Sequence, residues 1–165
     1  MLLQILLLVA VLALAVMLIS AAVGVPFLPT HRRQARLMME LGEIGPGKRV
    51  VDLGSGAGRL LFMAAKAGAT ADGYELNPIL YVWTQLVILL GGYRGRVRVH
   101  FQSLYQAPVS DKDIVFAFLF PEPMRRLGPK LFTELKPGAR IVSYTFSIPN
   151  KTPLQKREGI YVYTV

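Results

Sequence analysis

The chain opens on an almost unbroken apolar run, Met1 to Val23, in which Gln4 and Ser20 are the only polar side chains. About 23 residues at ~1.5 Å rise cover roughly 35 Å, so the run predicts a transmembrane helix. A cleaved signal peptide is the competing reading, but no Lys or Arg precedes the run and it exceeds a usual h-region. Pro26 and Pro29 stop any continuation, because each removes a donor and biases its predecessor toward extended backbone. Thr30 then predicts the N-cap of a helix from His31 to about Leu41, with Ala35, Met38 and Leu41 on one stripe. Beyond it the period changes repeatedly. Short β-branched runs at Arg49–Leu53, Arg96–Phe101, Asp113–Phe120, Ala139–Phe146 and Gly159–Val165 predict strands, and Ala71–Glu75 reads as a further short strand ending on an acid. Between them, Leu60–Lys66, Pro78–Leu90 and Met124–Leu135 predict helices, the last expected to break or kink at Gly128-Pro129. Strands alternating with helices imply an α/β, Rossmann-like fold, with a mostly parallel central sheet and helices on both faces. Six strands are countable, and a seventh is either very short, within residues 151–158, or missing.

The chemistry concentrates where the first strand ends. Val50-Val51-Asp52-Leu53 runs into Gly54-Ser55-Gly56-Ala57-Gly58, and a helix follows at once. Glycines at every second position let backbone approach a ligand more closely than a side-chain-bearing loop can. The dinucleotide fingerprint G-x-G-x-x-G would need its third glycine at position 59, which is Arg59. The simplest dehydrogenase reading is therefore excluded. Glu75 ends the second strand 19 residues beyond Gly56, where an acid in a nucleotide-binding β-α-β unit accepts hydrogen bonds from ribose hydroxyls. Asn77 is the expected cap of the next helix, with Pro78 at its first position. Taken singly, Asp52 reads equally well as a turn-forming acid and Glu75 as a surface carboxylate. Ligands in open α/β sheets lie outside the carboxyl ends of the strands, so Asp52–Gly58, Glu75, Gln102-Ser103 and Phe120-Pro121-Glu122 are expected to converge.

Charge and composition change this picture little. With 19 Lys and Arg against 10 Asp and Glu, the net charge is +9, which invites a nucleic-acid partner. The basic residues are dispersed, however, and no RNA- or DNA-binding module is present, so no nucleic acid is expected. Attraction to anionic lipid headgroups and a solvated basic surface both account for the excess. His31, Arg32, Arg33 and Arg36 follow the apolar run and nothing basic precedes it. The positive-inside tendency then predicts a single-pass membrane protein with its C-terminal domain on the cytoplasmic or equivalent side. The absence of cysteine is compatible with that reducing side.

The pattern D-x-G-x-G-x-G at Asp52 to Gly58 resembles motif I of the class I, S-adenosylmethionine-dependent methyltransferases. That resemblance implies a seven-stranded sheet and S-adenosylmethionine as cofactor. Its amino acid end would meet Asp52, Gly54, Ser55, Gly56 and Gly58, its ribose Glu75, and its adenine the loop after strand three at Gln102 and Ser103. Asn77 would lie beside the ribose, and Tyr74, Leu76 and Leu104 would flank the ring or else belong to the core. The acceptor pocket would adjoin Phe120, Pro121 and Glu122. Glu122 could attract a cationic amine or simply start the next helix, where acids are favoured. The apolar run, the Pro26-Phe27-Leu28-Pro29-Thr30 connector, Val51-Asp52-Leu53-Gly54-Ser55-Gly56 with Gly58-Arg59, and Gly73-Tyr74-Glu75-Leu76-Asn77-Pro78 together resemble a narrower group. This is the small membrane-anchored protein-lysine methyltransferase family whose mitochondrial members modify the ATP synthase c subunit and the adenine nucleotide translocase. The resemblance implies a pre-motif region in which Pro29 and Thr30 close over the cofactor, and a lysine of a membrane protein as acceptor. Ala57 departs from the family, which usually has Asp there. The corresponding division of the chain is an anchor over 1–24, connector and pre-motif helix over 25–47, and the cofactor-binding domain over 48–165. Two other functions fit the same residues: methylation of a lipid or small molecule, and a non-catalytic cofactor-binding scaffold.

Overall fold

The computed structural model describes residues 3–5, 7, 11 and 30–165. Four helices and seven strands follow in the order α1 (Arg32–Leu41), β1 (Arg49–Leu53), α2 (Arg59–Lys66), β2 (Thr70–Tyr74), α3 (Pro78–Leu90), β3 (Val97–His100), β4 (Ile114–Ala117), α4 (Pro121–Glu134), β5 (Arg140–Tyr144), β6 (Gln155–Arg157) and β7 (Ile160–Thr164). The strands form one sheet in the order β3-β2-β1-β4-β5-β7-β6. The first five are parallel, and β7 runs antiparallel between β5 and β6. The seventh strand is the short β6, inside the stretch where the sequence left it open.

Strand alternation divides the core. Val50 faces the side covered by α1 and α2, while Val51 and Leu53 face the side covered by α4. Asp52, in register with Val50, falls on the first side and is buried. Pairing sets the strand ends level: Leu53 lies opposite both Tyr74 and Ala117, Tyr74 opposite His100, and Ala117 opposite Ser143. The loops leaving β1 to β5 therefore emerge side by side along one edge.

Some local readings are revised. His31, not Thr30, is the N-cap of α1, and it makes no side-chain cap bond. Asn77 does cap α3, its Oδ1 accepting from the amides of Ile79 (3.0 Å) and Leu80 (3.3 Å). Helix α4 starts at Pro121 and continues through Pro129. That proline forfeits one amide donor within the helix, and the preceding Gly128 lets Ile148 come so close that a Cβ would lie 2.7 Å from its Cγ2. Tertiary packing thus holds together a helix whose local sequence favours a break.

The membrane expectation is corrected. Among the described residues no helix is long and apolar enough to cross a membrane. Of the anchor expected over 1–24, Leu3, Gln4, Ile5, Leu7 and Val11 are described, each of them helical. Single-pass localisation with the domain on the cytoplasmic side is therefore withdrawn, and the rest of the 1–24 segment lies outside the described residues.

Gly73 in β2 joins fold to site. A Cβ there would lie 2.5 Å from Leu61 Cδ1 and 2.7 Å from Ser55 Oγ. Gly73→Ala is expected to cost about 1–3 kcal/mol through overpacking, read as a fall in the urea midpoint at unchanged m-value.

Candidate functional site

The level strand ends open into one cavity of about 870 Å³, within the range of small-molecule sites. Its floor is the turn after β1, and that turn is held from three directions. The Tyr74 carbonyl accepts from the amides of Gly54 (3.0 Å) and Ser55 (3.1 Å). Glu75 accepts from Gly56 N–H at 2.8 Å and from Asn77 N–H at 2.7 Å. Thr84, buried in α3, donates its hydroxyl to the Gly56 carbonyl at 3.2 Å. The glycines take φ values of +87° (Gly54), +54° (Gly56) and +78° (Gly58), a region that side-chain-bearing residues disfavour. At Gly58 space adds a second demand, because a Cβ would approach Phe62 Cε2 to 2.8 Å.

This geometry shows where the amides of the turn are spent. The amides of Gly54, Ser55, Gly56 and Gly58 are engaged by Tyr74, Glu75 and Ser55 within the protein. The turn offers a ligand close approach to bare backbone more than a row of free donors. Ser55 lies in the cavity wall, but its buried Oγ has no hydrogen-bond partner and sits against the space over Gly73.

Asp52, Gly54, Ser55, Gly56, Glu75, Leu76, Asn77, Gln102 and Ser103 all line the cavity, as do Thr30, Phe120 and Glu122. Gly58 packs behind the turn, Pro121 is exposed as the first residue of α4, and Pro29 lies outside the described residues. Glu122 forms an ion pair with Arg125 one helical turn on, which accounts for it as a first-turn acid of α4. Arg59, Phe62, Trp83, Arg126 and Phe146 also line the cavity, and sequence reasoning did not single them out as site residues. Phe146 follows β5, so the strand-end rule applied to every parallel strand would have found it. Trp83 and Phe62 lie within helices and carry no comparable signal.

Two carboxylates set the electrostatics of the floor. Burial, with the Glu75 charge nearby as the lesser cause, pushes the Asp52 carboxyl up to about 7. Below the cavity, Asp72 of β2 is paired with Lys112 Nζ at 2.8 Å and with His100 Nε2 at 3.3 Å. Burial works against its charged form, but Lys112 and His100 prevail and hold Asp72 below the ordinary carboxylate range. The His100 ring stacks on Tyr74 at 4.8 Å, bracing the tip of β2 from which Glu75 projects.

A mostly parallel sheet in this order, with a glycine turn after β1 and an acid after β2 facing one cavity, defines a Rossmann-like methyltransferase fold. The comparisons carry the assignment further. The model of the ANTKMT methyltransferase domain matches residues 52–155. The human lysine N-methyltransferase of the ATP synthase c subunit is 35% identical over 149 residues, covering 88% of this chain and 64% of its own length. A protein-lysine N-methyltransferase of Saccharolobus islandicus is 34% identical over 86% of this chain and 94% of its own. The crystal structure of an RNA methyltransferase from Salinibacter ruber, in complex with S-adenosyl-L-homocysteine, superposes with a TM-score of 0.79 at 30% identity. It covers 83% of this chain and 93% of that one. The chain belongs to the ANTKMT methyltransferase domain family, and it spans a little under two thirds of the human relative's length.

The Asp52 shift has a consequence for stability. The folded protein holds this proton more tightly than the unfolded chain, whose value is the ordinary 3.8. Asp52 therefore favours folding at low pH and loses that contribution as pH rises toward 7. Asp52→Asn is expected to match the unaltered protein near pH 4 and to exceed it at about pH 8 by on the order of 2–4 kcal/mol. Urea midpoints at the two pH values test this.

Proposed function

We propose that the protein is an S-adenosylmethionine-dependent protein-lysine N-methyltransferase. The observation that carries the reading is the Glu75 carboxylate, fixed by the amides of Gly56 and Asn77 at the tip of β2 and facing the cavity. A carboxylate has about four acceptor positions, so two remain for a ribose diol. The cavity fits the cofactor in size and donor chemistry. Gly54 presents bare backbone to it.

When bound, S-adenosylmethionine supplies an electrophilic methyl group on a sulfonium. The residues here hold and orient. Glu75 takes the ribose hydroxyls, and Asp52 the ammonium of the amino acid end beside Gly54 and Gly56. Leu76, Gln102 and Ser103 border the adenine, and Thr30 closes the side reached from α1. Phe120 and Glu122 lie toward β4 and β5, where the acceptor amine enters. Holding a nucleophile in line with the methyl carbon supplies most of the catalysis such a transfer needs. The lysine acceptor is supported by the two relatives that are protein-lysine N-methyltransferases.

A second acceptor, RNA, is favoured by likeness to the Salinibacter ruber enzyme. Incubation with radiolabelled S-adenosylmethionine and a whole-cell extract separates these outcomes. Label is expected in protein, released on acid hydrolysis as methyllysine. Label in RNA or in an organic extract would replace the lysine reading, and a folded protein that binds no cofactor would leave only the scaffold.

Two further outcomes follow from the site. Glu75→Ala is expected to weaken S-adenosylmethionine binding at least about 100-fold by calorimetry, since it removes the ribose acceptor and leaves Gly56 N–H unpaired. Retained tight binding would refute the ribose assignment. An ammonium beside Asp52 favours its charged form, so cofactor affinity is expected to climb several-fold between about pH 6 and pH 8. A proton should be released on binding, visible as a buffer-dependent enthalpy.

A further inference from the structure

The backbone leaving β5 is strained at one residue. Thr145 has φ +71°, and for a β-branched residue such a value is an outlier that persists only when its surroundings enforce it. Three bonds do so. Phe146 N–H donates back to the Tyr144 carbonyl at 2.9 Å, closing a γ-turn around Thr145. Thr145 N–H donates to the Gly159 carbonyl at 2.8 Å, and Ser143 Oγ bonds the Phe146 carbonyl oxygen.

What the turn delivers is an aromatic ring. Phe146 reaches the cavity opposite Phe120, with centroids 5.7 Å apart and planes tilted by 36°. Phe118 lines the same wall, tilted 50° on Tyr144 at 4.7 Å. Phe118, Phe120 and Phe146 all line the cavity at the ends of β4 and β5, and ring faces attract cations. The carboxylates of the cavity wall do not compete for that task. Asp52 is buried in the floor, Glu75 is tied to two backbone amides, and Glu122 is paired with Arg125.

We propose that Phe146, presented by the strained turn at Thr145, forms with Phe118 and Phe120 an aromatic corner that selects an acceptor amine arriving as its ammonium, which gives one proton to water before its lone pair takes the methyl group and returns the sulfonium to a thioether. Phe146 is then a specificity-determining residue. The inference rests on the lysine reading above for the identity of the amine, but its test does not use turnover.

Full-length protein saturated with S-adenosylhomocysteine is titrated with Nα-acetyl-Nε-trimethyllysine amide and with its uncharged isostere, in which carbon replaces the quaternary nitrogen. Saturation-transfer NMR reads both. The cation is expected to bind at least about fivefold more tightly than the isostere, as cation–π attraction at a partly desolvated site implies. Phe146→Leu, which keeps apolar bulk but removes the ring face, should bring the ratio near one while S-adenosylhomocysteine affinity stays within about twofold. Phe120→Leu, at the ring paired with Phe146, should act alike, and Phe146→Trp should keep the preference. Equal affinities in the unaltered protein, no binding of either probe, or a ratio indifferent to both leucine variants would overturn the aromatic corner. Label on protein lysine together with a ratio of one would sink the corner alone. A preserved ratio with no lysine labelled would sink the lysine reading and leave a cation subsite.

Discussion

The site depends on the carboxylate of Glu75, which accepts from Gly56 and Asn77 at once. One side chain thereby fixes the turn after β1, its own position at the end of β2, and the entry to α3. Each of those backbone groups is at the end of an element, where regular structure leaves donors unsatisfied. A partly buried carboxylate satisfies two of them with charge-assisted bonds, which are the stronger kind. Thr84 closes the arrangement from α3 by bonding the Gly56 carbonyl. The turn is consequently a braced wall against which a ligand can lie.

That bracing explains the division between the two acids. Glu75 accepts from two backbone donors, whereas Asp52, one strand over and buried, has burial and the Glu75 charge working against its own ionisation. The cavity thus has two carboxyl groups on its floor in unequal environments. The far wall, built after β4 and β5, is aromatic. A cavity with an acidic floor and an aromatic side suits a ligand with polar and cationic parts meeting an amine.

Much of this was legible before any coordinates. Asp52, the alternate glycines, Glu75 and the Asn77-Pro78 cap each carry a local signal: a period-2 run, a φ requirement, a strand-end acid, a helix start. The seven-stranded sheet was implied by the resemblance that those motifs carried, while its strand order came only from the structure. Other features were illegible for physical reasons. Helix α4 survives Gly128-Pro129 because Ile148 packs against it, a contact set by a loop far along the chain. Helix α3 is apolar almost all round, which predicts burial, yet Val82, Trp83, Leu86 and Leu89 are each about half exposed. Pairing between strands decided which of its faces met the sheet.

The sequence by itself determined the elements, their mostly parallel arrangement and the identity of the floor, because backbone demands for glycine, caps and strand-end acids are local and leave residue-specific traces. Tertiary structure decided that the amides of Gly54 and Ser55 bond back to the end of β2. It also decided that Phe146 joins the site through a strained turn. Each of those depends on which segments meet across the sheet, and no window of sequence contains both partners of such a contact.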